Sequence, residues 1–328
     1  MNGRAALSSV LGLSLALLLT VSVRAAGPNQ LPSGDLFPEV KLEVVESGLY
    51  RIGYAHLSGV GFPVDAVDPR HLQVHVGGVE VAVWVDGEAD GVFDPEDSLV
   101  FYGEALDTVY SGVNLYWLPV GREPGLRMST REAVPTGEAA SAHSFTETLH
   151  AEVNSFYWQT MPAQLGPDHW FWGTLLTAPE RRNYSLATPG GTGDQPARIR
   201  VRLLAETTAA NRPTHQVQAR VNGALVGETF WDGRTAVVLS GTVPGETTAT
   251  QSVTLTLDAV STGQHVSRVH LDWIEFDYAR GYTAANDALI FGGPGTGRYA
   301  FNIGGFAGND PTLFDISDPG RPVDWLRS

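Results

Sequence analysis

The sequence predicts a mainly β protein: a small N-terminal β-rich module, then a jelly-roll-type β-sandwich, then the start of a further β unit. Three observations predict it. Apolar and polar residues alternate with period two in several short runs. Turn residues (Gly, Pro, Asn, Asp) separate those runs. No long stretch carries the apolar stripe of a surface helix.

The first element is an export signal over residues 1–25. Arg4 supplies a positive start, a Leu-rich apolar core runs from about Ala5 to Val21, and Val23 and Ala25 are small exit residues before cleavage. The uncharged run Ala5–Val23 has 19 residues, close to the roughly 20 a membrane span needs. Ser8, Ser9, Gly12 and Ser14 dilute it and no basic cluster follows, so a cleaved signal is favoured over a stable membrane anchor. The expected location is secreted, extracellular or at the cell surface.

About 300 residues remain after cleavage, enough for two domains. The chain has no cysteine, so cores of adequate size, and a metal, take the place of disulfides. A formal net charge of −15 argues against nucleic acid and anionic membranes as partners.

The N-terminal module, residues 37–127, holds the strand-like runs KLEVVESGLYRI, HLQVHV, VEVAVWV and SLVFYG, and a short helix at Ala55–Val60. Ser129 to Ser144 is small and polar and reads as a linker or exposed loop. The sandwich, residues 145–280, shows the cleanest alternation. Ile199, Val201 and Leu203 face one way and Arg198, Arg200 and Arg202 the other; Val217, Ala219 and Val221, then Val253, Leu255 and Leu257, repeat the pattern. In VHLDWIEFDY the alternation runs through Val269, Leu271 and Trp273 and then shifts to Ile274, Phe276 and Tyr278. A one-residue shift predicts a β-bulge near a rim or edge. Residues 286–328 begin another β unit, too short to fold alone, so they are expected to pack on the sandwich or to be one part of a truncated domain.

The sharpest chemical feature is the loop Asp86 to Asp97. Counted from Asp86, acids fall at positions 1, 3, 5, 9 and 12, namely Asp86, Glu88, Asp90, Asp94 and Asp97, with Gly91 at position 6. Oxygens at this spacing wrap a calcium ion, and the glycine permits the sharp turn. Position 12 is Asp rather than a bidentate Glu, and strands flank the loop, so a structural ion in a hairpin is the expectation; a solvated acidic hairpin is the alternative.

Other signals are weaker. Gly292 to Gly297 reads as a turn, because Lys-Ser/Thr does not follow. His71 and His75 lie on a strand, roughly 13 Å apart, too far to share a metal. Asp168, Asp232 and Asp272 sit near tryptophans, but sequence brings no two of them to a defined distance. The sandwich is rich in rings, including Tyr157, Trp170, Trp172, Trp231 and Trp273. These serve either core packing or sugar stacking, with Trp172 and Trp231 as the candidate ligand contacts.

The ordered series GLYRIGYAHLSGVGFPVDAVDPRHLQVHVGGVEVAVWV, DGEADGVFDPEDSLVFYGEA, NLYWL, HWFWGTLL, QVQARVNGALVGETFWDG, RVHLDWIEFDY and FDISDPGRPV resembles the N-terminal, non-catalytic region of secreted gingipain-like cysteine peptidases and related type IX secretion proteins. It covers nearly all of residues 38–323. The resemblance implies β modules that precede a caspase-like domain with a His/Cys dyad. This sequence lacks that domain and has no cysteine to carry over as nucleophile. The resemblance therefore implies an accessory or scaffold region, not an enzyme in itself, with a peptidase domain in cis or a surface glycan or protein as partner. LDWIEF also resembles the last strand of carbohydrate-binding modules, so a carbohydrate-binding or adhesion module is the alternative.

Overall fold

The computed structural model describes residues 4–9, 38–106, 108, 111–132, 138–173, 175–210, 212–263, 265–308 and 311–326. It is mainly β, as the alternation predicts, and the chain divides into two compact units. Among the described residues no helix is long and apolar enough to cross a membrane.

The first unit comprises residues 1–139, 286–298 and 306–328. One four-stranded sheet runs Val40–Val44, Asn114–Leu118, Val74–Val76, Val79–Val81. A three-stranded sheet runs Gly48–Gly53, Ser98–Gly103, Trp84–Asp86. The expected helix is present at Tyr54–Gly59 and turns Leu57 into the core. That core gathers Leu42, Ile52, Phe93, Leu99, Phe101, Tyr116 and their neighbours.

Two expectations for this unit are corrected. The stretch expected to pack on the sandwich belongs mostly here: Ala288–Gly292, Pro311–Asp315 and Val323–Leu326 share a five-stranded sheet with Ser129–Glu132 and Arg4–Ser9. Phe314 and Ile316 bury against Ala82, Val100, Tyr102 and Met128. The reason is that alternation marks which face of a strand is apolar, not which core will cover it. The polar stretch after Ser129 is not all loop either, for Ser129–Glu132 and Ala140–Ala142 are both strands. Each pairs in parallel with a segment far along the chain, which no local pattern encodes. Arg4–Ser9, inside the segment read as an export signal, pairs antiparallel with both Ala288–Gly292 and Pro311–Asp315. The rest of that segment lies outside the described residues.

The second unit, residues 140–285 and 299–305, is a β-sandwich. One sheet runs Ser144–Glu152, Arg268–Gly281, Ala197–Ala205, Ala236–Val243; the other runs Arg181–Ala187, Ser252–Ala259, His215–Val221, Ala224–Trp231. Inward residues from both sheets, among them Ile199, Val201, Leu203, Val217, Ala219, Leu255, Leu257, Ile274 and Phe276, form one core. At one corner Gly227 faces the backbone carbonyl of Ser240, and Gly241 faces that of Val226. A side chain at either glycine would hold the two strands apart.

Candidate metal centre

The site begins with the phase shift in Arg268–Gly281. Val201 lies opposite Ile274 and Leu203 opposite Leu271, so Arg202 alone faces both Asp272 and Trp273. Two residues against one is a β-bulge, a device that re-aims side chains. It keeps Leu271 and Ile274 both in the sandwich core. The strand is interior, not an edge, since strands pair on both its sides. The bulge therefore serves aiming rather than edge protection.

Asp272 is only 5% exposed. Its Oδ2 pairs with Arg202 Nε at 2.9 Å, and its Oδ1 is buried with no hydrogen-bond partner. Burial pushes the carboxyl up to about 6, against the pull of Arg202 and with help from the negative charges of Asp168 and Glu152. An unpaired oxygen on a buried carboxylate is costly unless something cationic completes its shell.

Two more carboxylates supply the setting. Glu152 ends the strand Ser144–Glu152, directly opposite Trp273, and His150 Nε2 lies 3.1 Å from its Oε2. Asp168 precedes the short strand Trp170–Phe171, and its Oδ1 accepts the backbone N–H of Trp170 at 2.9 Å. One oxygen from each of Glu152, Asp168 and Asp272 lies within 4.8 Å of the others. Three all-oxygen anionic donors from three separate segments fit a hard divalent cation, with waters or carbonyls completing the shell. The orphaned Oδ1 of Asp272 is the position such an ion would satisfy.

On the same strand, His270 is buried in a cage of rings. Trp158 and Phe171 lie 4.8 and 4.9 Å from it, centroid to centroid, and Phe156 stacks on it at 5.4 Å. Neither ring nitrogen has a hydrogen-bond partner, and Glu206 Oε2 is 3.8 Å away. Burial lowers its pKa to about 4. The unfolded chain binds a proton near 6.5, so stability falls as pH drops from 6.5 towards 4, by at most about 3 kcal/mol. His270→Phe, which keeps an aromatic ring and removes the unpaired nitrogens, is expected to remove this rising contribution without loss of stability at pH 7. Urea midpoints across the pH range check it.

No family model matches the chain, and no curated protein matches it. Among solved structures, dimeric latent PorU from Porphyromonas gingivalis superposes with a TM-score of 0.58 at 19% identity, over 76% of this chain and 25% of that one. The chain shares its fold with part of PorU. It spans about a quarter of PorU's length. A CBM36 carbohydrate-binding module in complex with calcium and xylotriose matches over 43% of this chain and 99% of its own length at 19% identity, but its TM-score of 0.25 is too low to argue from. The same holds for the CBM36-1 domain of a multidomain xylanase from the hindgut metagenome of Trinervitermes trinervoides, at 11% identity over 40% of this chain and 96% of that domain, with a TM-score of 0.28.

The acidic loop is arranged differently from its expected wrap. Asp86 lies opposite Ser98, so the loop closes as a hairpin between two strands. Phe93 plugs it into the core of its own unit. Gly87 and Gly91 take left-handed backbone angles, φ 85° and 82°. Glu88 is drawn to Arg127 at 2.8 Å. Asp90 accepts the N–H of Val92 at 3.0 Å, and Asp97 accepts that of Asp94 at 2.9 Å. Among the described residues, Glu152, Asp168 and Asp272 form the cation-sized group, and Asp86, Glu88, Asp90, Asp94 and Asp97 form none. Hairpin closure turns Asp90 and Asp97 to the loop's own amides and Glu88 to Arg127.

Of the two candidate sugar-contact tryptophans, Trp231 is buried and Trp172 half-buried. Trp231 is 8% exposed and lies against His215, ring centroids 5.0 Å apart. Trp172 packs on the sandwich core, edge-to-face with Tyr184 at 5.1 Å. Exposed rings among the described residues include Phe156, Tyr157, Trp170 and Phe230.

Proposed function

We propose that the chain is a non-catalytic accessory region of an exported protein, equivalent to the leading part of a gingipain-like peptidase, whose sandwich is pinned by calcium at Glu152, Asp168 and Asp272. The observation that carries the accessory role is the fold shared over most of this chain with only a quarter of PorU. The cysteine-free sequence supports it, because a cysteine peptidase's nucleophile would have to come from elsewhere. The orphaned Asp272 oxygen and the two carboxylates grouped with that side chain support the ion. Calcium is favoured over magnesium because three protein carboxylates converge, whereas magnesium usually keeps several of its waters and takes one or two carboxylates. The ion's role is structural: it ties the Ser144–Glu152 and Arg268–Gly281 strands to the loop before Trp170.

The purified chain is expected to leave a mixed peptide library intact by mass spectrometry, with or without calcium. Cleavage that co-purifies with the chain through size exclusion would sink the non-catalytic reading. Export is tested separately: the secreted form is expected to begin at Ala26 on N-terminal sequencing, and a product retained in the cell and starting at Met1 contradicts it.

A further inference from the structure

A pair of exposed aromatic rings lies side by side in the second unit. The two-residue strands Phe156–Tyr157 and Trp170–Phe171 pair antiparallel, with Phe156 opposite Phe171 and Tyr157 opposite Trp170. Phe171 and Trp158 anchor this ribbon by burying against Leu204 and Met161. Tyr157 and Trp170 are left facing solvent, 50% and 38% exposed. Their centroids are 5.1 Å apart and their planes meet at 58°, so the two faces form a shallow V.

The Tyr157 ring and the Trp170 backbone are held in advance. His169 stacks behind Tyr157 at 5.5 Å, and its own Nδ1 lies 3.0 Å from the carbonyl of Trp158. Asp168 holds the N–H of Trp170. Rings fixed before binding lose little freedom on binding, which is the usual economy of a recognition surface. Single exposed apolar residues need no explanation; a cross-strand pair on a ribbon anchored by buried neighbours does.

We propose that Tyr157 and Trp170 form a stacking shelf for a neutral sugar chain. The apolar C–H face of a pyranose ring matches an aromatic face, and a V of two rings takes two faces of adjacent sugars. The acceptors beside the shelf, Asp168 and Glu152, suit hydroxyl donors. The same carboxylates, in a chain of net charge −15, disfavour an anionic polymer. Asp168 links the shelf to the proposed metal centre, because its side chain both accepts the Trp170 backbone N–H and contributes to the three-carboxylate group. The shelf itself rests on ring geometry, and does not require the calcium reading to be right.

The test is affinity electrophoresis of the full chain, with calcium present, through gels containing arabinoxylan, glucomannan, mixed-linkage β-glucan or galactan, with alginate as the charged control. At least one neutral polymer is expected to retard the protein. Trp170→Ala and Tyr157→Ala are each expected to weaken that retardation about tenfold, with melting temperatures unchanged. Retardation by no neutral polymer, by alginate alone, or equally for the wild type and the double variant overturns the shelf. The calcium-induced shift in melting temperature is measured on the same proteins, so the metal reading and the shelf can fail independently.

Discussion

Removing calcium with a chelator is expected to lower the melting temperature of the sandwich by roughly 5–10 °C. At free calcium one hundred times its dissociation constant, an ion bound only by the folded state adds about 2.7 kcal/mol. For a domain of this size, each kcal/mol moves the midpoint by about 2–4 °C. Asp272→Asn, which keeps the shape and loses the charge, is expected to abolish the shift. Asp90→Ala in the acidic loop is expected to leave it intact. The reverse outcome, a shift lost in Asp90→Ala and kept in Asp272→Asn, would move the ion to the loop, and no shift in the wild type removes it altogether.

The pH dependence of the chelated protein checks the same assignment. Burial raises the Asp272 carboxyl to about 6 in the folded state, against about 4 in the unfolded chain. The folded state therefore holds its proton longer. Stability contributed here is highest below pH 4 and is lost as pH rises through 6, by at most about 3 kcal/mol. His270 acts with the opposite sign over much the same range, because burial lowers its pKa to about 4. The two slopes partly cancel in the wild type. Asp272→Asn is expected to expose the rising slope of His270, and His270→Phe the falling slope of Asp272. Calcium is expected to remove the Asp272 slope, since a bound ion favours the ionised form. A falling slope that persists in Asp272→Asn assigns the titration to another group.

Phe276→Ala is expected to destabilise the second unit by about 3–5 kcal/mol, a fall in melting temperature on the order of 10 °C. Phe276 is wholly buried. It lies between Leu149 and Ile199 of the neighbouring strands and stacks on Tyr278, ring centroids 6.0 Å apart. Truncation leaves a cavity that strands paired on both sides are poorly able to close. Phe230→Ala is the comparison, because that ring is 52% exposed and its loss is expected to change stability by less than about 0.5 kcal/mol. Equal urea midpoints for the two variants would place Phe276 outside the core.

Much of this was legible in the sequence, and the parts that were not share a physical cause. The alternation of Ile199, Val201 and Leu203, of Val217, Ala219 and Val221, and of Val253, Leu255 and Leu257 named the inward face of three strands, and all nine residues are buried in one core. Period two works because it is a property of a single strand: successive side chains must point to opposite faces. The phase shift in VHLDWIEFDY named a bulge for the same reason, since only an extra residue keeps Leu271 and Ile274 on one side. Spacing within the acidic loop fixes neither which way its carboxylates turn nor which neighbour claims them. There Arg127 and the loop's own amides claim three of the five. Composition counts rings such as Trp231 and Trp172 without saying what each one packs against.

By itself, then, the sequence determined the β class, the inward faces of the sandwich strands, the position of the bulge and the lack of a cysteine nucleophile. Each of these follows from local stereochemistry or from composition. Only the tertiary structure decided that Glu152, Asp168 and Asp272 meet, that Tyr157 and Trp170 face solvent side by side, and that the closing stretch joins the first unit. Those facts depend on which strands pair and in what register. Pairing is set by the burial of whole faces between segments far apart in the chain, and a shift of one residue would have turned Asp272 into the core and dispersed the site.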